Sequence, residues 1–414
     1  MATFRDQFVL SKRYNTISLV LMALGILSVI ILFITHGTSS EQYVSARFWA
    51  SLLQNSVFFL LITNASLFFI TATTLAWGGW QMSFRRVPEA IGACVPVIGI
   101  IAVIILLALV FGPNHSIYHW ASHDAENDPA INHKIGFLNK PFFAIWTILT
   151  VVGWSLLGRK LRSLSTSIDN RPLSVEEGKK YIWDNTVWAA LYAVLFALTV
   201  LSSIPWFWLM SIDPHWYSTM YSWYTFASSW VAGLALIALY VIYLKNKGYL
   251  ELVTKEHLHD LGKFMFAFSI FWTYLWFSQF MLIWYANIPE ETIYFKPRVQ
   301  GPYRTIFFLN LIINFLAPLL LLMRRASKRN YGTITMMAIL IIFGHWLDFY
   351  QMVMPTAVMN PGTKQTYVPN MLPDMGIALG FVGLIMFVTA RSLAKYPLLA
   401  KNHPFLKESI IHHT

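Results

Sequence analysis

The sequence predicts an all-α integral membrane protein with ten transmembrane helices, and three observations carry that prediction. The chain is 57% hydrophobic and only 12% charged, where a soluble domain carries roughly 25% charged residues. Ten stretches each supply the about 20 mostly apolar residues that a membrane span needs. No polar segment between them is longer than about 30 residues, so any soluble partner domain belongs to another chain.

The spans fall near residues 15–35, 52–77, 88–111, 141–158, 186–205, 222–244, 262–286, 304–323, 332–353 and 374–393. With no water in hydrocarbon, each segment must satisfy its own backbone groups, so the spans are helices packed as a bundle. The loop pattern suits two four-helix bundles, spans two to five (52–205) and six to nine (222–353), flanked by spans one and ten. Span one follows Arg5, Lys12 and Arg13 without a small-residue cleavage site, which reads as an uncleaved first helix. Span six carries Ser222, Thr225, Ser229 and Gly233 at spacings of three, four and four. Small residues on one stripe let two helices approach closely.

The net charge of +11 reflects topology. Of the 30 Lys and Arg, 23 lie in the segments on the side of the N-terminus and 7 on the other side. By the positive-inside rule both termini are expected to be cytoplasmic, in a multi-pass membrane protein. The basic segments also attract anionic lipid, and this distribution excludes a nucleic-acid partner. The opposite loops, 112–140, 206–221, 287–303 and 354–373, are rich in Pro and aromatics. Their Trp120, Trp206, Trp208, Trp216, Tyr217, Tyr294 and Tyr303 are expected to form an aromatic belt at the interface. Loops 112–140 and 354–373 are long enough to serve as docking surfaces.

Chemistry is expected where a polar group sits in hydrocarbon at a cost. Asp348 lies deep in span nine with His345 one turn before it, in the run from Gly344 to Gln351 that also holds Tyr350. At 1.5 Å per residue from Tyr331, Asp348 is about 25 Å into the membrane. A His and a carboxylate on one helix face can pass a proton between water chains; the plainer alternative is a polar pair that locks helices together. Span seven places Tyr274, Ser278, Met281 and Tyr285 on one face, with Gln279 beside it. Span eight has Asn310 and Asn314 one turn apart, then Pro318, whose missing donor frees a carbonyl. Taken singly these residues make ordinary interhelical bonds; as a set facing His345 and Asp348 they would line a proton path.

Other chemistries find less support. His115, His119 and His123 repeat every four residues, followed by Asp124, Glu126, Asp128 and His133. The set could hold a metal if helical, but it begins at Gly112-Pro113 and equally suits partner docking. The one cysteine, Cys94, excludes a thiolate metal site, an iron–sulfur cluster or a disulfide within the chain. Only His345 lies well inside a span, with His36 at the outer end of span one, so a bis-histidine haem is not expected.

Three segments carry a resemblance: YHWASHDAENDP at 118–129, FSQFMLIWYANIPEET at 277–292 and HWLDFYQMVMPTAV at 345–358. In combination they resemble the ActF-type membrane subunits of Alternative Complex III, a bacterial quinol:cytochrome c oxidoreductase of respiratory electron transport. These subunits belong to the NrfD/polysulfide-reductase-like family, and the likeness covers nearly the whole chain. It implies two four-helix bundles and a subunit with no redox centre of its own. Haem c and iron–sulfur clusters then reside in partners: an ActB-like iron–sulfur chain and ActA-like and ActE-like cytochromes, beside an ActC-like sister membrane subunit. A terminal oxidase is a further candidate partner, and lipid and quinone are candidate ligands at the membrane interface. His345 and Asp348 match the family's HxxD position, which implies a candidate proton-translocating role. Quinol binding by this chain, a stand-alone proton-coupled secondary transporter and a pure scaffold remain the competing readings.

Overall fold

The computed structural model describes residues 5–112, 117–122, 125, 127–169, 171–360, 363 and 365–413. Ten helices in it are long and apolar enough to cross a membrane, and no strand occurs among the described residues. The protein is an all-α, multi-pass membrane protein. The helices are α1 (Lys12–Gly37), α2 (Gln42–Leu75), α3 (Arg86–Phe111), α4 (Lys140–Ser167), α5 (Val175–Ile212), α6 (Met220–Asn246), α7 (Lys255–Ala286), α8 (Arg304–Leu322), α9 (Tyr331–Ala357) and α10 (Leu372–Lys395). Ten crossings leave both ends of the chain on one face, called here the terminal face; the other is the distal face.

Packing closes two rings of four. α2 packs on α3, α3 on α4, α4 on α5 and α5 back on α2; α6, α7, α8 and α9 repeat the cycle. The rings meet where α2 touches α6 and α9, so α2 and α6 are buried over 83% and 89% of their apolar windows against 17% for α1. The span-six stripe does what small residues do: a Cβ at Gly233 would stand 2.5 Å from that of Ala65 on α2. α1 and α10 form a separate pair against the seam. They cross at glycines, since a Cβ on Gly380 would come within 2.7 Å of the Gly25 Cα.

Local sequence sets the helix ends and the breaks. Ser174 and Glu177 make a capping box that starts α5. Only residues 168–174 separate α4 from α5, so both run well past the expected limits of 141–158 and 186–205. Their polar end turns stay helical beyond the apolar windows from which those limits were drawn. Wide π turns interrupt α5 at Thr199–Ser203 and α8 at Ile312–Leu316, just ahead of Pro205 and Pro318. Each proline lacks the N–H that a regular turn would use.

The loop aromatics correct one expectation. Trp208 and Tyr303 are fully buried, Trp216 and Trp120 nearly so, and Trp216 stacks on Tyr294 at 4.2 Å. Short helices at 289–292 and 296–299 fold this region back over the distal end of the second ring. Of the seven residues expected in a belt, Tyr217 is strongly exposed, at 72%.

Candidate functional site

Asp348 sits fully buried at the centre of the second ring, and its carboxylate is gripped by all three neighbouring helices. The Tyr224 hydroxyl of α6 and the Asn310 amide of α8 (2.7 Å) donate to Oδ1, while the Trp272 indole N–H of α7 donates to Oδ2 at 2.9 Å. Asn314 donates in turn to the Asn310 carbonyl at 2.5 Å, which fixes the Asn310 NH2 toward the acid. All these donors are neutral. Among the described residues no Lys, Arg or His forms an ion pair with Asp348. Three aimed donors stabilise a carboxylate without neutralising it.

His345 is equally buried and stands edge-on to Trp272 at 5.4 Å. It does not bond Asp348 directly. Its Nδ1 lies 3.0 Å from the Ser228 hydroxyl of α6, one helical turn from Tyr224. The other ring nitrogen, Nε2, has no hydrogen-bond partner among the described residues, and neither has the Ser269 hydroxyl one turn before Trp272 on α7. Orphaned buried polar atoms are rare and mark places where ordered water is expected.

On the distal side of Asp348 lies a small cavity of about 20 Å³, enough for one water. Tyr224 and Asn310, both donors to Asp348, line it with Gln279, Gln351 and Arg298. The Gln279 amide nitrogen and the Gln351 side-chain oxygen have no partner among the described residues. Arg298 is buried and held by carbonyls rather than by an acid. Its Nε donates to the Gln351 carbonyl at 2.9 Å, its Nη2 to Met352 at 3.1 Å and its Nη1 to Tyr294, whose ring it covers at 3.6 Å. The reason is Pro355 within α9: it cannot donate to the carbonyl four residues earlier, so Gln351 is free for Arg298. A cation thus caps the broken distal turn of α9, one helical turn beyond Asp348.

Of the residues expected on the path, Asn310, Asn314, His345 and Asp348 come together, and Gln279 lines the cavity beside them. The expected face of span seven does not join them. Tyr274 and Tyr285 are 62% and 84% exposed, Met281 is exposed and Ser278 only half-buried. The buried face of α7 carries Ser269, Trp272, Trp276, Gln279 and Ile283 instead. Aromatic residues occupy both sides of this helix, and the large indoles of Trp272 and Trp276 fill the interior better than phenols that seek a polar boundary. Tyr350 is buried but turned away from the acid, packing on Tyr303 (6.3 Å) and Trp346 (5.9 Å). Tyr224, Ser228, Trp272, Arg298 and Gln351 were not expected. Tyr224 and Ser228, four apart on span six, are the one pair that the sequence could have offered, on the face beside the small stripe.

In the loop after α3, His115, His123, Asp124 and Glu126 lie outside the described residues. Burial lowers the His119 imidazole from its ordinary value, and a hydrogen bond from His215 (2.6 Å) is the main cause holding Asp128 below the usual carboxylate range. Among the described residues no group of three or more His, Cys, Asp or Glu is placed to hold a metal ion. No protein-family model matches the chain, and no curated protein matches it either.

Proposed function

We propose that this chain is a non-haem integral membrane subunit of a bacterial quinol:cytochrome c oxidoreductase of the Alternative Complex III type, and that it carries protons through its second four-helix ring. The observation behind the proton role is Asp348: a carboxylate wholly buried about 25 Å along its helix, held by neutral donors, with no cation paired to it among the described residues. A lone ionisable acid in hydrocarbon costs several kcal/mol by any scale. An apolar residue would lock the helices at less cost. The assignment to this complex rests on the resemblance of the three segments quoted above. Electron transfer then belongs to the ActB-like, ActA-like and ActE-like partners, and quinol oxidation to the ActC-like sister. The excess of Lys and Arg makes the terminal face cytoplasmic.

In this reading Asp348 is the proton carrier. Water in the distal cavity exchanges protons with it past Tyr224 and Asn310, and Arg298 at the cavity wall favours proton release toward the distal side. Ser228 holds His345 one turn of α6 from the Tyr224 hydroxyl that bonds the acid, and the His345 Nε2, without a partner among the described residues, meets water from the terminal side. The test is Asp348→Asn in the whole complex, reconstituted in vesicles during quinol oxidation. Assembly with haem-bearing partners and loss of proton movement are expected. Unchanged proton movement in a fully assembled Asp348→Asn complex would overturn the proton role, and isolation of the chain without coloured partners would overturn the assignment.

A further inference from the structure

A second, much larger cavity lies away from Asp348. It is a crevice of about 580 Å³ at the seam, walled by α1, α2, α6, α9 and α10, and nearly all its lining is apolar. Ile17, Ile339, Met375 and Leu379 at its mouth are all at least 40% exposed, so it opens sideways toward lipid. Its back wall includes the Trp346 ring, whose N–H is already taken by Asn55 at 2.9 Å. Along α10 the lining runs from Met375 to Met386, about 16 Å, close to the half-thickness of a bilayer core of about 30 Å.

We propose that this crevice holds an acyl chain of an anionic phospholipid from the leaflet on the terminal face. Packed interiors carry few voids larger than water, and an apolar cavity does not hydrate, so hydrocarbon fills it. The size falls within the about 300–1,000 Å³ of ordinary ligand pockets. Polarity is confined to one end. Tyr14 and Tyr240 meet there, hydroxyl to hydroxyl at 3.4 Å, and Tyr243 lies against Tyr14 at 5.5 Å. Tyr14 is in the first turn of α1 and Tyr243 in the last turn of α6, which puts this end at the terminal face. Two exposed cations continue the lining stripes past it: Arg13, four residues before Ile17, and Lys247, four after Tyr243. Charge of that sign at that depth fits a phosphate headgroup. Nothing in this proposal depends on the proton role of Asp348.

The full chain, in the assembly with which it purifies, is to be delipidated in mild detergent and titrated with phosphatidylglycerol or phosphatidylcholine of equal chain length. Native mass spectrometry then counts what is retained. One tightly held lipid is expected, with phosphatidylglycerol preferred. Ala378→Phe, which fills the crevice, should abolish that retention for both lipids. Arg13→Gln and Lys247→Gln should each cut the preference for phosphatidylglycerol about fivefold while leaving the chain count unchanged. Both residues are exposed, so this pair decides the matter even if Ala378→Phe fails to assemble. Equal retention of the two lipids, a preference unmoved by the Arg13 and Lys247 changes, or recovery of an isoprenoid quinone in place of phospholipid would each overturn the proposal.

Discussion

The two four-helix rings share a layout and differ in charge. In each, a tyrosine joins the first helix to the last: Tyr192 of α5 donates to the Asn64 carbonyl of α2, and Tyr224 of α6 donates to Asp348 of α9. In each, tryptophan N–H groups bond inward, Trp154 to Thr199 (3.1 Å) and Trp208 to Thr147 (3.0 Å) in the first ring, Trp272 to Asp348 in the second. The first ring does keep buried charges, but they are paired. Arg85, Arg86, Glu89 and Asp169 form one network near the terminal face. An amide suffices to accept the tyrosine hydroxyl and hold the helices in the first ring, so a carboxylate in that role in the second ring points to a task that an amide cannot perform.

The largest effect expected from breaking this comparison is at Asp348 itself. Asp348→Leu strands Tyr224, Asn310 and Trp272 together, at about 1–3 kcal/mol for each unsatisfied buried group. The complex should fail to assemble, as read by co-purification. Asp348→Asn loses about one hydrogen bond and should assemble. A well-assembled Leu variant would mean that the donors are not held by the acid.

Next in size is the paired charge that fastens α10 to α2. Arg47 and Asp374 are almost fully buried, bonded at Nη1–Oδ1 (2.9 Å) and again through Nη2, with the Ser51 hydroxyl 2.7 Å from the same acid. Removing one partner leaves a bare buried charge, so Arg47→Met should cost about 3–5 kcal/mol, and the double change Arg47→Met with Asp374→Leu much less. Thermal unfolding in detergent measures both. Neither variant should alter proton movement per assembled complex; a loss there would bring this pair into the pathway and erase the contrast with Asp348.

A smaller effect is expected in the first ring. Asn64→Leu strands one hydroxyl, that of Tyr192, and should lower stability by about 1–3 kcal/mol with proton movement intact. Asn64→Asp sharpens the test by placing a carboxylate where one donor, not three, awaits it. It should destabilise the ring without opening a second proton route, measured in the same vesicles.

How much of this was legible in the sequence differs by level. Spans were legible because hydrocarbon demands long apolar runs, and Asp348 because an acid inside such a run is conspicuous. Asn310 and Asn314 could be read from their spacing and the following Pro318. The inward face of α7 could not: with Trp272 and Trp276 on one side and Tyr274 and Tyr285 on the other, periodicity alone does not say which ring sees lipid. Arg298 was beyond sequence reading for another reason. Its partner is a carbonyl freed by Pro355, more than fifty residues away, and only the folded distal end brings the two together.

The smallest expected effect concerns the edge of the first ring, where the C-terminal segment docks. Asn402 donates to the Ile168 carbonyl at 2.7 Å, His403 stands edge-on to Tyr181 at 5.5 Å, and the Phe405 N–H donates to His403 Nδ1 at 3.1 Å. Burial first, then the charges of Arg85 and Arg86, push the His403 imidazole down to about 3. The folded state therefore holds this ring neutral. Its contribution to docking is complete above the ordinary value of about 6.5 and declines as pH falls from there toward 3, because the released segment gains a proton that the docked one refuses. Amide protection across residues 396–413, with the intrinsic slowing of exchange in acid divided out, should fall over that range, while protection around Asp348 in α9 stays high. His403→Gln removes the titrating group and should flatten the pH dependence of protection in the tail. If the tail of the His403→Gln protein loosens with acid as the parent does, a group other than His403 titrates, with the Asp169 carboxyl, which burial raises, the nearest candidate, and the first ring's paired charges are less inert than the contrast with Asp348 requires.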